Sequence, residues 1–96
     1  MTEQDQEELV AFLAANPTAG DLIVGTGGVR KLRWKLEGRG KRGGARVIHF
    51  FHNAEIPLFL LTAFAKNERA DLSQAERNEL RKLTRALVET YGRHEQ

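Results

Sequence analysis

The side chains of this 96-residue chain best equipped for chemistry are cations gathered in its middle. Between positions 30 and 46 stand Arg30, Lys31, Arg33, Lys35, Arg39, Lys41, Arg42 and Arg46, against a single acid, Glu37. The chain as a whole carries only +2, from 15 basic and 13 acidic residues. Its acids crowd the start (Glu3, Asp5, Glu7, Glu8) and return in the last third. A local field of one sign attracts polyanions even on a nearly neutral molecule. Such a cluster can also do more than bind. RNA carries its own nucleophile, the 2′-hydroxyl, so a protein that cuts it must position the chain, stabilise the extra charge at phosphorus and help move protons. Arginine offers phosphate a planar fork, and lysine is a point charge whose pKa moves when other cations crowd it. Lys31, Arg33 and Lys35, with Arg46 from the next segment, could supply that surface. The same pattern also describes a plain solvated strand face.

Other chemistries find no residues. There is no cysteine, which excludes disulfide scaffolds, zinc–thiolate sites and thiol nucleophiles. His49, His52 and His94 lack the spacing and carboxylate company of a metal site, so neither a metal nor a cofactor is expected. The glycine-rich GTGG at 25–28 lacks the Gly-Lys-Ser/Thr that closes a P-loop, and no GxSxG occurs. His49 and His52 read as ordinary strand residues, Trp34 and Phe51 as core, and Tyr91 as the last core contact of its helix. The acidic start is unlike a secretory signal, and the longest apolar run, 56–65, is too short for a membrane helix. A soluble, cytoplasmic protein of one domain, residues 1–96, is expected.

The elements that must position the cations follow from periodicity. Residues 2–15 form a helix with Leu9, Phe12 and Leu13 on its stripe and Val10 nearby; Thr2 or Asp5 caps it, and Asn16-Pro17 ends it. Residues 16–28 are mostly loop, with at best a short strand at 22–24. Residues 29–36 alternate: Val29, Lys31, Arg33 and Lys35 point one way, Arg30, Leu32, Trp34 and Leu36 the other. The glycines of 37–44 make a flexible tip carrying Arg39, Lys41 and Arg42. Residues 45–53 form a second strand. Residues 58–65, apolar on both faces, are expected to be the most central strand. Ser73 and Glu76 read as the capping box of a helix running to about Tyr91, with Leu80, Leu83, Leu87 and Tyr91 on one face. Gly92 stops it, and residues 92–96 fray. The sum is an α+β fold: a small antiparallel sheet packed with an N-terminal and a C-terminal helix.

These segments resemble a known family. The runs NPTAGDLIVGTGGVRKLRWKLEGRGKRGGARVIHFF and LFLLTAFAKNERADLSQAERNELRKLTRALV look like the RelE superfamily of bacterial type II toxins, in its HigB-like branch, over about residues 7–90. The most specific parts are GTGGVRKLRW, the GRGKRGGAR hairpin and the AKNE-x-x-DLS-x-x-E segment. The resemblance implies a ribosome-dependent mRNA endonuclease that works in the A site without metal, and a helix-turn-helix antitoxin that neutralises it. Carried over, it implies catalytic roles for Lys31, Arg33, Arg46 and Lys66, and RNA or ribosome contacts for Arg30, Lys35, Arg39, Lys41, Arg42, Asn67 and Arg69. Asn67 and Ser73 stand where the best-studied members have arginine and tyrosine. Members of the branch also carry a strand before the segment matching DQEELVAFLAANP, so the sheet is expected to lack that first strand. Its open edge would pair with an antitoxin segment or a second copy. A second reading therefore stays open: an N-terminally shortened, non-catalytic homologue that binds an antitoxin, RNA or the ribosome. A third is a generic nucleic-acid-binding module.

Overall fold

The computed structural model describes residues 2–35, 44–65 and 72–92. Helix α1 spans Glu3–Ala15 and opens with a complete capping box. Thr2 Oγ1 accepts from the Asp5 amide at 3.1 Å, and the Thr2 amide donates to Asp5 Oδ2 at 2.9 Å. Thr2 is thus the cap and Asp5 its reciprocal partner, satisfying donors that a helix start leaves free. Asn16 closes the helix with its amide on the Phe12 carbonyl at 2.8 Å.

Four strands follow: β1 Asp21–Leu22, β2 Val29–Lys35, β3 Gly44–Phe50 and β4 Phe59–Ala65. They pair antiparallel in the order β1-β2-β3-β4. Helix α2, Gln74–Gly92, is the last described element. It begins with the expected reciprocal box: the Ser73 amide donates to Glu76 Oε1 at 2.9 Å and the Glu76 amide to Ser73 Oγ at 3.1 Å.

The two helices pack against opposite faces of the sheet. Leu9 and Leu13 of α1 cluster with Val47, Leu32, Trp34 and Leu58. Trp34 is the core residue expected, its ring tilted against Phe12 at 5.2 Å. On the other face Val29, Ile48 and Phe50 cluster with Ile23 and Leu72 and with Leu80, Leu87 and Val88 of α2.

Several expectations change here. The segment 58–65 is not central; β4 is an outer strand and β3 lies inside the sheet, between β2 and β4. The apolar residues of 58–65 divide between the two faces, Leu58 in the α1 cluster and Phe59, Leu61 and Phe64 in the α2 cluster, and say nothing about how many strands flank the segment. An extra residue in β4 opposite Ile48 and His49 lets Leu61 join Phe59 and Phe64 on the α2 side, while Leu60 stays 43% exposed. The short strand near the start is β1, one residue earlier than expected and only two residues long, giving four strands among the described residues rather than three. The second long strand stops at Phe50, and Asn53 then folds a turn whose side-chain oxygen accepts the Glu55 and Ile56 amides. Helix α2 is also rotated from the leucine-based reading. Thr84 is buried, Leu83 is 41% exposed, and Tyr91 meets Phe59 edge-on at the rim.

Candidate functional site

The face of β2 carrying the cations divides into two ends. At its start Val29 is fully buried beneath α2; Lys31 is half-buried, and Arg33 and Lys35 are exposed. Neighbouring β3 shows the same gradient, with Phe50 and Ile48 buried and Arg46 half-buried. Helix α2 therefore covers one end of a single sheet face and leaves the cationic end open.

Register sets the geometry of that open end. Arg33 lies directly opposite Arg46, and Lys31 opposite Ile48. Directly opposed residues of an antiparallel pair project to the same side, so Lys31, Arg33 and Arg46 share one surface. Two like charges directly opposite each other cost stability, typically a fraction of 1 kcal/mol up to about 1 kcal/mol. An anion between them reverses the sign, and two guanidinium forks on one phosphate make paired, charge-assisted hydrogen bonds. A pocket of about 350 Å³ lies here, lined by Gly20, Asp21, Lys31, Leu32, Arg33 and Arg46.

The wall of the pocket is the loop after α1. Gly20 has φ +92°, and a Cβ there would sit 2.5 Å from the Lys31 carbonyl oxygen, so only glycine lets the loop lie against β2. From the opposite sheet face two side chains hold neighbouring carbonyls of this loop. Arg30 Nη1 donates to the Gly20 carbonyl at 3.2 Å, and His49 Nε2 donates to the Ala19 carbonyl at 3.0 Å. Arg30 is accordingly a brace behind the site, on the face away from Lys31 and Arg33. His49 is fully buried, and its Nδ1 finds no partner among the described residues. Burial pushes the imidazole below its ordinary 6.5; the Ala19 carbonyl opposes this and the Arg30 charge adds to it. The ring is held neutral.

A second brace fixes the entry to β2. Thr26, fully buried, donates to the Ile23 carbonyl at 2.7 Å and accepts from the Val29 amide at 3.1 Å. Thr84 of α2 donates to the Thr26 carbonyl at 2.9 Å. The start of the cation-bearing strand is thus tied to the helix that covers half its face.

Of the residues expected to act, Lys31, Arg33 and Arg46 come together. Lys35 continues the same side of β2, farther from α2. Lys66, Asn67 and Arg69, the tip residues Arg39, Lys41 and Arg42, and His94 lie outside the described residues. Asp21 was missed. A two-residue strand carries no periodic signal, and the glycine before it was the one local mark of a special backbone position. Among the described residues no three His, Cys, Asp or Glu side chains gather as ligands of a metal would. Nor is any helix among them long and apolar enough to cross a membrane.

The family model described as the RelE toxin of the RelE/RelB toxin–antitoxin system matches residues 4–94, nearly the whole chain.

Proposed function

The chain belongs to the RelE toxin family, the toxin half of a toxin–antitoxin system, and on that premise we propose that it is an endoribonuclease of the HigB-like branch that cuts mRNA in the ribosomal A site. The observation carrying this reading is the Arg33–Arg46 pair, directly opposed at the uncovered end of the sheet face with Lys31 beside it. A scissile phosphate seated there is gripped from two strands at once. Attack by the adjacent 2′-hydroxyl builds negative charge on the phosphoryl oxygens, and the preplaced cations stabilise that charge more than they stabilise the ground state. Lys66, Lys35 and the Arg39, Lys41 and Arg42 tip extend the contact to RNA and the ribosome, together with Asn67 and Arg69. The chemistry assigned to these side chains needs neither metal nor cofactor.

The partner is an antitoxin, proposed to be a small helix-turn-helix protein, and the place of action is the cytoplasm. β4, the longer of the two outer strands of the described sheet, offers the edge on which an antitoxin segment would add as a strand.

Inducible expression without the antitoxin tests the reading. Wild type should arrest growth and leave mRNA cut on ribosomes. A Lys31→Ala/Arg46→Ala variant that melts like wild type should do neither. Equal growth of the two strains with intact mRNA would overturn the assignment.

A further inference from the structure

Among the described residues the cation pocket holds one carboxylate, and its place in the sheet gives it a task that the charged cations cannot perform. Asp21 lies directly opposite Lys31 across the β1–β2 ladder, so its side chain leaves the sheet on the side shared by Lys31, Arg33 and Arg46. It lines the same pocket and is exposed to an incoming ligand. Among the described residues its carboxylate makes no hydrogen bond or ion pair. Its main chain is nonetheless closely held. Gly20 lies against the Lys31 backbone, and Arg30 and His49 grip the carbonyls of Gly20 and Ala19 just before it. The Ile23 amide, just beyond β1, bonds the Val29 carbonyl at 2.9 Å. A free side chain on a fixed backbone is the arrangement a reacting group needs.

Cleavage through the 2′-hydroxyl requires a group that accepts its proton. Guanidinium and ammonium groups only donate, whereas an ionised carboxylate only accepts. Among the described residues lining the pocket, Asp21 is the one acidic side chain.

We infer that Asp21 is the general base of the cleavage proposed above, an inference that rests on that reading. One Asp21 carboxylate oxygen takes the 2′-hydroxyl proton as the 2′-oxygen bonds to phosphorus. The bond from phosphorus to the 5′-oxygen breaks, and the departing oxygen takes a proton from solvent. The products are a 2′,3′-cyclic phosphate and a 5′-hydroxyl, and Asp21 releases its proton to water. Arg33 and Arg46, directly opposed on the same side of the sheet, hold the phosphate.

Single-turnover cleavage of mRNA on programmed ribosomes, followed against pH, tests the assignment. Asp21→Asn should slow cutting by about 10²–10⁴-fold, the usual worth of a general base, and should lose the fall in rate on the acid side. Asp21→Glu, which restores the carboxylate on a longer arm, should recover part of the rate and keep that acid limb. A well-folded Asp21→Asn variant that cuts within about threefold of wild type would overturn the inference, since a general base is worth far more. So would a slow Asp21→Asn variant, or a slow Asp21→Glu variant if the amide fails to fold, whose rate follows pH in a way unrelated to a carboxylate: the amide keeping the acid limb, or the glutamate losing it. If wild type leaves the message intact, it is the cleavage reading itself that fails, and Asp21 falls with it.

Discussion

Replacing Thr26 by valine probes the brace that sets the cation-bearing strand. Valine keeps the shape of threonine and removes the hydroxyl. That hydroxyl donates to the Ile23 carbonyl at 2.7 Å and accepts from the Val29 amide at 3.1 Å, at a residue with 0% exposure. The substitution therefore leaves two buried backbone groups without partners. Each such loss costs about 1–3 kcal/mol, partly offset by the added apolar surface, so a net loss of about 2–4 kcal/mol is expected. The bond from Thr84 goes to the Thr26 main-chain carbonyl and survives the change, which isolates the hydroxyl as the cause. Chains of this size typically lose about 4–8 °C of melting temperature per kcal/mol, so the midpoint should fall by about 8–32 °C. Thr26→Ser keeps the hydroxyl and loses a methyl, and should cost only about 1 kcal/mol. Urea unfolding followed by circular dichroism reads both values. A Thr26→Val protein within about 0.5 kcal/mol of wild type would refute the reasoning, because that is the range of substitutions that touch no buried network.

Two further predictions concern charge. His49 is held neutral in the fold while the unfolded chain titrates near 6.5, so on acidification through that value the unfolded state binds the proton first. Stability should accordingly fall as pH drops below about 6.5, with one proton limiting the slope to about 1.4 kcal/mol per pH unit. Unfolding measured between pH 7.5 and 5 should show this slope in wild type and a shallower one in His49→Gln. Equal slopes would remove His49 from the account. Arg46→Gln relieves the directly opposed Arg33–Arg46 pair and should raise stability at low salt by about 0.2–1 kcal/mol while weakening cleavage. Added salt should shrink that gain, and a destabilised variant would show that the pair is not under repulsion.

How much was legible in the sequence depended on whether a feature was local. The Ser73–Glu76 capping box and the alternation of β2 are set by neighbours within four residues, and the structure contains them as expected; of the two caps open for α1, Thr2 or Asp5, it uses Thr2, with Asp5 as the reciprocal partner. Lys31, Arg33 and Arg46 were legible as a surface because strand alternation puts them on one side. The rank of β4 was not legible. Its apolar run reflects packing of Leu58 on one side and of Phe59, Leu61 and Phe64 on the other, and strand order is a property of the whole sheet. The phase of α2 was misread because Thr84 looks polar in isolation, yet its hydroxyl is satisfied by a carbonyl 58 positions away and so belongs inside. Asp21 was hidden for a related reason. Its role depends on the Asp21–Lys31 register, and two residues are too few to announce a strand.

The central claim is that the Lys31, Arg33 and Arg46 surface makes RNA's own 2′-hydroxyl the nucleophile. Programmed ribosomes carrying an mRNA with one 2′-deoxy nucleotide at the cleaved position test it most directly. The account predicts that purified wild-type protein cuts the all-ribose message in the A site, leaving a 2′,3′-cyclic phosphate and a 5′-hydroxyl. It also predicts that the 2′-deoxy message is left intact and that Lys31→Ala/Arg46→Ala leaves both intact. Cutting of the 2′-deoxy message at that position, or undiminished cutting by the double variant, would contradict it.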